Sequence, residues 1–311
     1  MTARMGKIND YSRRQILSTL AATGATAALA KIQDATGDEA PALDPWQIGC
    51  FTRPWKDEPY TTAFDEIAEA GFKYVGFMTA KIPGGYFLTA KIPPDDAAKA
   101  GKEATKRGLR VLAAWGGGLP VQNSVAEGVA SLRQLIDNAA LAGVATLLMG
   151  GTGKESEYDA YYQAIKECCD YAAEKHVALV IKPHGGLNST GEQCKRTIQK
   201  VGHKNFNLWY DPGNIYYYSA GKLDPVEDAK AVGGIVTGMC VKDFKPPKNV
   251  DVTPGDGQVK FDQVMAELRK GGFASGPLVI ETLGPVQGRE QRIAEARKAR
   301  VFVERVIEDL K

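Results

Sequence analysis

The chain has 311 residues, enough for two average domains or one large barrel, and 44% are hydrophobic, which permits a sizeable buried core and excludes disorder and collagen-like repeats. Lys and Arg number 39 against 37 Asp and Glu, a net charge of +2; the first 30 residues hold Arg4, Lys7, Arg13 and Arg14 against Asp10, so the rest carries −1. A nearly neutral body offers no general attraction for nucleic acid or an anionic membrane, and points instead to a small-molecule partner.

At the N-terminus, Ser12-Arg13-Arg14-Gln15-Ile16-Leu17 sets two arginines before a weakly apolar stretch, Leu17 to Ala30, that closes on Ala28-Leu29-Ala30, a small-x-small cleavage signal. Residues 1–30 resemble a twin-arginine signal peptide, which implies export in the folded state to the periplasm or beyond. A spanning helix needs about 20 mostly apolar residues, so no stable membrane insertion is expected once the signal is removed. The bland alternative is an ordinary amphipathic helix. Residues 31–44, KIQDATGDEAPALD, are small and polar and read as a linker.

From Trp46 onward, short apolar or β-branched runs alternate with longer segments of helical period. The predicted strands are Gln47–Phe51, Tyr74–Met78, Arg110–Ala114, Ala145–Met149, Ala178–Ile181, Asn207–Tyr210, Ile235–Val241 and Leu278–Glu281. Between them, stripes such as Val125, Val129, Leu132, Ile136 and Ala139, or Ile293, Ala296, Val303, Val306 and Leu310, mark helix faces that pack on a core. Eight β/α units over residues 45–311 predict a single (β/α)8 TIM barrel, for which ~250 residues is typical. An open doubly wound sheet fares worse, because Cys50-Phe51-Thr52-Arg53-Pro54-Trp55 after the first strand is no dinucleotide loop. Gly116-Gly117-Gly118 and Gly150-Gly151-Thr152-Gly153 lack the Lys-Ser/Thr of a phosphate loop and read as turns. The five cysteines (Cys50, Cys168, Cys169, Cys194, Cys240) have neither metal-knuckle spacing nor a disulfide pattern, so no disulfide framework is predicted.

In such a barrel the active site lies where the strands end. There the sequence places Arg53 and Trp55, Trp115, Lys182-Pro183-His184, Asp211, Lys242-Asp243 just past Cys240, and Glu281. Asp211 and Glu281 each interrupt a hydrophobic run, where an uncompensated charge is costly. Ionisable groups converging from separate strands shift one another's pKa and can ligate a cation or move protons. The bland readings are a buried apolar Cys240, a turn at His184, surface or capping roles for His176 and His203, and an Asp243 that pairs with Lys242 or caps a loop.

The order of Lys182-Pro183-His184-Gly185-Gly186, Trp209-Tyr210-Asp211-Pro212-Gly213-Asn214, Cys240-Val241-Lys242-Asp243, Pro254-Gly255-Asp256-Gly257 and Leu278-Val279-Ile280-Glu281 resembles the sugar phosphate isomerase/epimerase family of xylose isomerase-like TIM barrels. The resemblance runs from about Trp46 to the C-terminus and is strongest after residue 175. It implies a divalent metal (Mn, Zn, Mg or Co) held by a Glu after strand five, an Asp after strand six, a His in strand seven and a Glu after strand eight. Asp211 and Glu281 match; Lys182 and Cys240 depart, as does Asn214, where the family often has a further His. A lysine there repels a cation. Two repairs are open: His184 joins Asp211, Glu281 and Cys240 around a metal, or the Lys182 ammonium takes the metal's place.

The implied chemistry is proton abstraction next to a carbonyl or hydroxyl of a carbohydrate. Glu281 is the expected proton acceptor, Lys182 or a metal stabilises the oxyanion, and Arg53, Trp115, Asn214 and Lys242 contact the substrate. Export favours a free sugar, an oxidised sugar or a glycoside over a phosphosugar. The alternatives are a lyase acting on 3-keto-glycosides and a sugar-binding barrel with a degenerate metal site. Nuclease activity is disfavoured by the neutral body and by only three histidines. Assembly into a homo-oligomer stays open.

Overall fold

The structure, a computed structural model, describes residues 45–310. The signal expected over residues 1–30 and the linker over 31–44 lie outside the described residues.

Strands β1 (Trp46–Phe51), β2 (Tyr74–Phe77), β3 (Arg110–Gly117), β4 (Thr146–Met149), β5 (Ala178–Ile181), β6 (Phe206–Tyr210), β7 (Val236–Val241) and β8 (Gly276–Ile280) pair in chain order, all parallel, and β8 closes on β1. This is the (β/α)8 barrel read from the alternation. Strands covered on both faces read as continuous apolar runs because neither face meets water.

Alternate residues of each strand part to opposite sides. Cys50, Val75, Leu147, Leu179, Ile181, Leu208, Tyr210, Met239, Val241, Leu278 and Ile280 join the large cluster shared with the helices, while Phe51, Leu112, Leu148, Val180, Trp209, Cys240 and Val279 fill the bore. Two strand glycines make that filling fit: a Cβ on Gly76 would lie 2.3 Å from the Phe51 ring, and one on Gly238 would lie 2.5 Å from the Trp209 indole. Small residues opposite large ones are how a narrow barrel accommodates aromatic side chains. All five cysteines are buried and unbridged, as the spacing predicts.

The loops at the carboxyl ends are held by helix caps. After β5 the chain turns tightly, with His184 N–H donating to Asn188 O at 2.8 Å and Asn188 N–H to Gly185 O at 3.0 Å, then enters α5 (Gly191–Val201). A capping box opens α5: Thr190 Oγ1 accepts from Gln193 N–H while the Gln193 side chain accepts from Thr190 N–H. The Asn188 side chain donates to Tyr162 Oη at 2.5 Å on α4 (Glu155–Glu174) and accepts from Thr197 on α5 at 3.0 Å. The segment bearing His184 is therefore fastened from both sides. Asp243 is a loop cap as well: its carboxylate accepts from the N–H groups of Phe244, Gly255, Gly257 and Val259 at 2.8–3.0 Å, and does not pair with Lys242.

Candidate active site

Lys182, Asp211, Lys242 and Glu281 are each the first residue past a strand, after β5, β6, β7 and β8. Two positions back lie Val180, Trp209, Cys240 and Val279 in the bore. The two-residue period thus carries all four charges to one layer directly above the apolar filling. Each is at most 3% exposed.

Burying four charges is tolerable only because they satisfy one another. Lys182 Nζ donates to Asp211 Oδ2 at 3.0 Å and to Glu281 Oε2. Lys242 Nζ has three partners: Asp211 Oδ2 at 3.2 Å, Asn214 Oδ1 at 3.1 Å and Glu281 Oε1 at 2.7 Å. Arg53, opening the short 3-10 helix Arg53–Trp55, donates to Glu281 Oε1 at 3.0 Å. Asp211 also caps α6 (Pro212–Tyr218), its Oδ1 accepting from Asn214 N–H at 2.9 Å with Pro212 at the first helical position.

The electrostatics follow from these contacts. Burial alone would raise the Glu281 carboxyl, but Lys182, then Lys242 and Arg53, override it and hold the group well below the usual carboxylate range. Burial likewise works against charge on Lys182; the surrounding anions, Glu281 and Asp211 among them, more than offset it and keep the ammonium protonated. Burial pushes the His184 imidazole down to about 3, helped by Lys182 and Lys242, so it is neutral at ordinary pH.

Above the charges stands a partly exposed aromatic wall. The His184 ring lies 4.9 Å from the Trp115 centroid and 5.9 Å from that of Tyr218, and Lys182 Nζ is 5.6 Å from the Trp115 centroid. Gly185, at φ +82°, admits Tyr218, since a Cβ there would lie 2.4 Å from its ring. Among the described residues, neither His184 ring nitrogen has a hydrogen-bond partner.

Sequence reasoning brought Arg53, Lys182, Asp211, Cys240, Lys242 and Glu281 to one place, and the structure joins them. It differs at three positions. Asn214 donates its amide to Pro183 O at 2.7 Å and accepts from Lys242, and the buried Lys242 ammonium also donates to Asp211 and pairs with Glu281; both expected substrate contacts are turned into the network. His184, expected as a metal ligand, is not part of the cluster of ligand-type atoms that lie within 4.8 Å of one another, which comprises Asp211, Cys240 and Glu281.

That cluster does not fit a divalent cation. The Lys182 ammonium is hydrogen-bonded to both of its carboxylates, and Lys242 contacts the same two groups. Burial pushes the Cys240 thiol well up, which works against a thiolate there. A metal would have to displace a tethered cation. Sequence reasoning missed Tyr218; its only signal was the aromatic run Tyr216-Tyr217-Tyr218 after the Asp-Pro cap.

Comparison with known proteins agrees with the barrel fold. The family profile for xylose isomerase-like TIM barrels matches residues 64–303. The chain belongs to that family, as its motifs suggested. It is 28% identical over 192 residues to the L-ribulose-5-phosphate 3-epimerase UlaE of Salmonella paratyphi A, covering 57% of this chain and 63% of that protein. The same figures hold for the enzyme of that name from Escherichia coli O17:K52:H18. The chain thus spans 63% of the length of the curated relatives it matches. Among solved structures, D-psicose 3-epimerase with D-tagatose from Clostridium cellulolyticum H10 is similar in fold, with a TM-score of 0.68 at 13% identity, over 84% of this chain and 99% of that one.

Proposed function

We propose that this barrel is a carbohydrate isomerase or epimerase that moves a proton at a carbon next to a carbonyl or hydroxyl. The observation that carries the reading is the pairing of Glu281 with the buried Lys182 ammonium at the carboxyl ends of the strands, beside the Trp115 and His184 rings. The sugar 3-epimerase activity in the relatives' names supports it.

Lone-pair accounting identifies the reactive oxygen. Glu281 Oε1 accepts from Arg53 and lies 2.7 Å from the Lys242 ammonium, whereas Oε2 takes Lys182 alone and keeps one lone pair for a proton. Lys182 spends two of its three N–H groups on Asp211 and Glu281, so one remains for a substrate oxygen. As negative charge grows on that oxygen it draws Lys182 toward itself, loosening its hold on Glu281 at the moment Glu281 must act as a base. The neutral His184 can donate to or accept from a hydroxyl, and Trp115 offers a flat face to the sugar ring. No step is assigned to a metal. The twin-arginine motif at Arg13-Arg14 supports an exported enzyme.

The test is deuterium incorporation from D2O into a panel of ketoses and aldoses, followed by NMR. Glu281→Gln is expected to slow exchange by about 100-fold or more while leaving the far-UV spectrum unchanged; full exchange in that variant refutes the assignment.

The three cations around Glu281 favour a second reading, a barrel that binds carbohydrate without turning it over. A carboxylate contacted by three cations is a poor resting base. Sugar binding with no exchange in any member of the panel would select it.

A further inference from the structure

The charge layer does not balance. Arg53, Lys182 and Lys242 face Asp211 and Glu281, so three cations meet two carboxylates and one positive charge is in excess. The nearby groups do not cancel it. His184 is neutral. The charge of Asp243 is spread over four backbone N–H groups of its own loop. The remaining partner is Asp251, which meets Arg53 Nη2 at 3.4 Å with its side chain 72% exposed, a long and solvent-screened contact at the rim.

Arg53 is the most exposed member of the set. Its side chain is 32% exposed, against 0–4% for Lys182, Lys242, Asp211 and Glu281. It is also well positioned: Thr52 N–H donates to Gly76 O at 3.0 Å, Thr52 Oγ1 accepts from Met78 N–H at 3.0 Å, and Trp55 beside it is buried. Of its five N–H groups two are engaged, and the one toward Asp251 only loosely. A guanidinium with free donors, held at the lip of a layer with surplus positive charge, is a receptor for a planar anion. A neutral sugar would leave the surplus uncompensated, and a doubly charged phosphate would overshoot it. A single carboxylate cancels it.

We propose that the ligand of this mouth is a sugar acid, a carbohydrate bearing one carboxylate, which Arg53 binds in place of Asp251. This rests on the carbohydrate reading above and narrows it to a substrate class. The carboxylate is a binding handle at Arg53, and proton transfer between substrate and Glu281 beside Lys182 leaves the summed charge of layer and ligand at zero.

The experiment is calorimetric titration of the purified protein with matched pairs that differ in the acid group, D-glucuronate against D-glucose and D-galacturonate against D-galactose, together with D-gluconate against D-glucitol and with D-glucose 6-phosphate. At least one acid is expected to bind about tenfold tighter than its neutral counterpart, the worth of a charge-assisted hydrogen bond. Arg53→Gln, a change at a side chain 32% exposed, is expected to bring the ratio of acid to neutral affinity down to about one, each pair being compared within the same variant. Equal affinity for acid and neutral partner, or a preference that survives Arg53→Gln, overturns the proposal while sugar binding itself still stands. Tighter binding of the phosphate overturns the single-carboxylate assignment. Binding of no sugar of either kind, across a panel widened to pentoses and ketoses, overturns the carbohydrate reading beneath it.

Discussion

Lys182→Met removes the charge at the centre of the layer and keeps most of the side chain's length. Asp211 and Glu281 then remain buried at 0% and 3% exposure, with Lys242 on both and Arg53 on Glu281. Breaking a buried ion pair by removing one partner costs about 3–5 kcal/mol; because two other cations stay on the same carboxylates, the lower end, about 3 kcal/mol, applies. For a domain of this size each kcal/mol moves the melting point by about 2–4 °C, so a fall of about 6–12 °C is expected. Scanning calorimetry at one scan rate measures it. The pH dependence gives a second check. Glu281 has a depressed folded pKa, so its pairing contributes above its unfolded value and is lost only as pH falls through the folded one. The gap between wild type and variant is therefore full at pH 7 and narrows only in strongly acid solution. An unchanged or raised melting point at pH 7 would show that Lys182 is not what holds the carboxylates in place.

Three further outcomes follow from the same structure. Gly238→Ala places a Cβ 2.5 Å from the indole of Trp209, which is 1% exposed and cannot swing away, so chemical denaturation should show a loss of about 1–3 kcal/mol. Thr190→Ala removes the capping-box acceptor of α5 and should cost about 1 kcal/mol by the same measurement. Burial raises the Asp228 carboxyl, which accepts from Tyr210 Oη–H and Gly191 N–H, to about 6. A raised folded pKa gives stability that is present below the unfolded value and lost as pH rises through about 6; wild type should therefore gain up to about 3 kcal/mol between pH 7 and pH 4, and Asp228→Asn should lack that gain.

The barrel was legible because strands buried on both faces leave uninterrupted apolar runs, and Ala178–Ile181 was bounded to the residue. Where boundaries moved, the cause was backbone pairing that side chains do not advertise. β3 runs on through Trp115 to Gly117 because Gly117 still pairs with Met149, past a register shift. β8 starts at Gly276 and Pro277 against β1, two residues that sequence reasoning treats as punctuation. The charge layer was legible because a charge that ends an apolar run must face either a partner or a ligand. What could not be read was how the partners satisfy one another: that Lys242 donates to Asp211 and Asn214, that Asn214 turns to Pro183, and that His184 stands off the carboxylates against Trp115 and Tyr218 are properties of three-dimensional packing.

The central claim is that a lysine ammonium, and no metal, sits between two carboxylates, one of which, Glu281, is proposed to act on a carbohydrate. It is tested most directly by deuterium exchange into substrate sugar, measured on protein exhaustively treated with chelator and again after adding back manganese, zinc, magnesium or cobalt. Exchange that survives chelation and is lost in Glu281→Gln is the predicted result; exchange that vanishes with the chelator and returns with an added ion would contradict it.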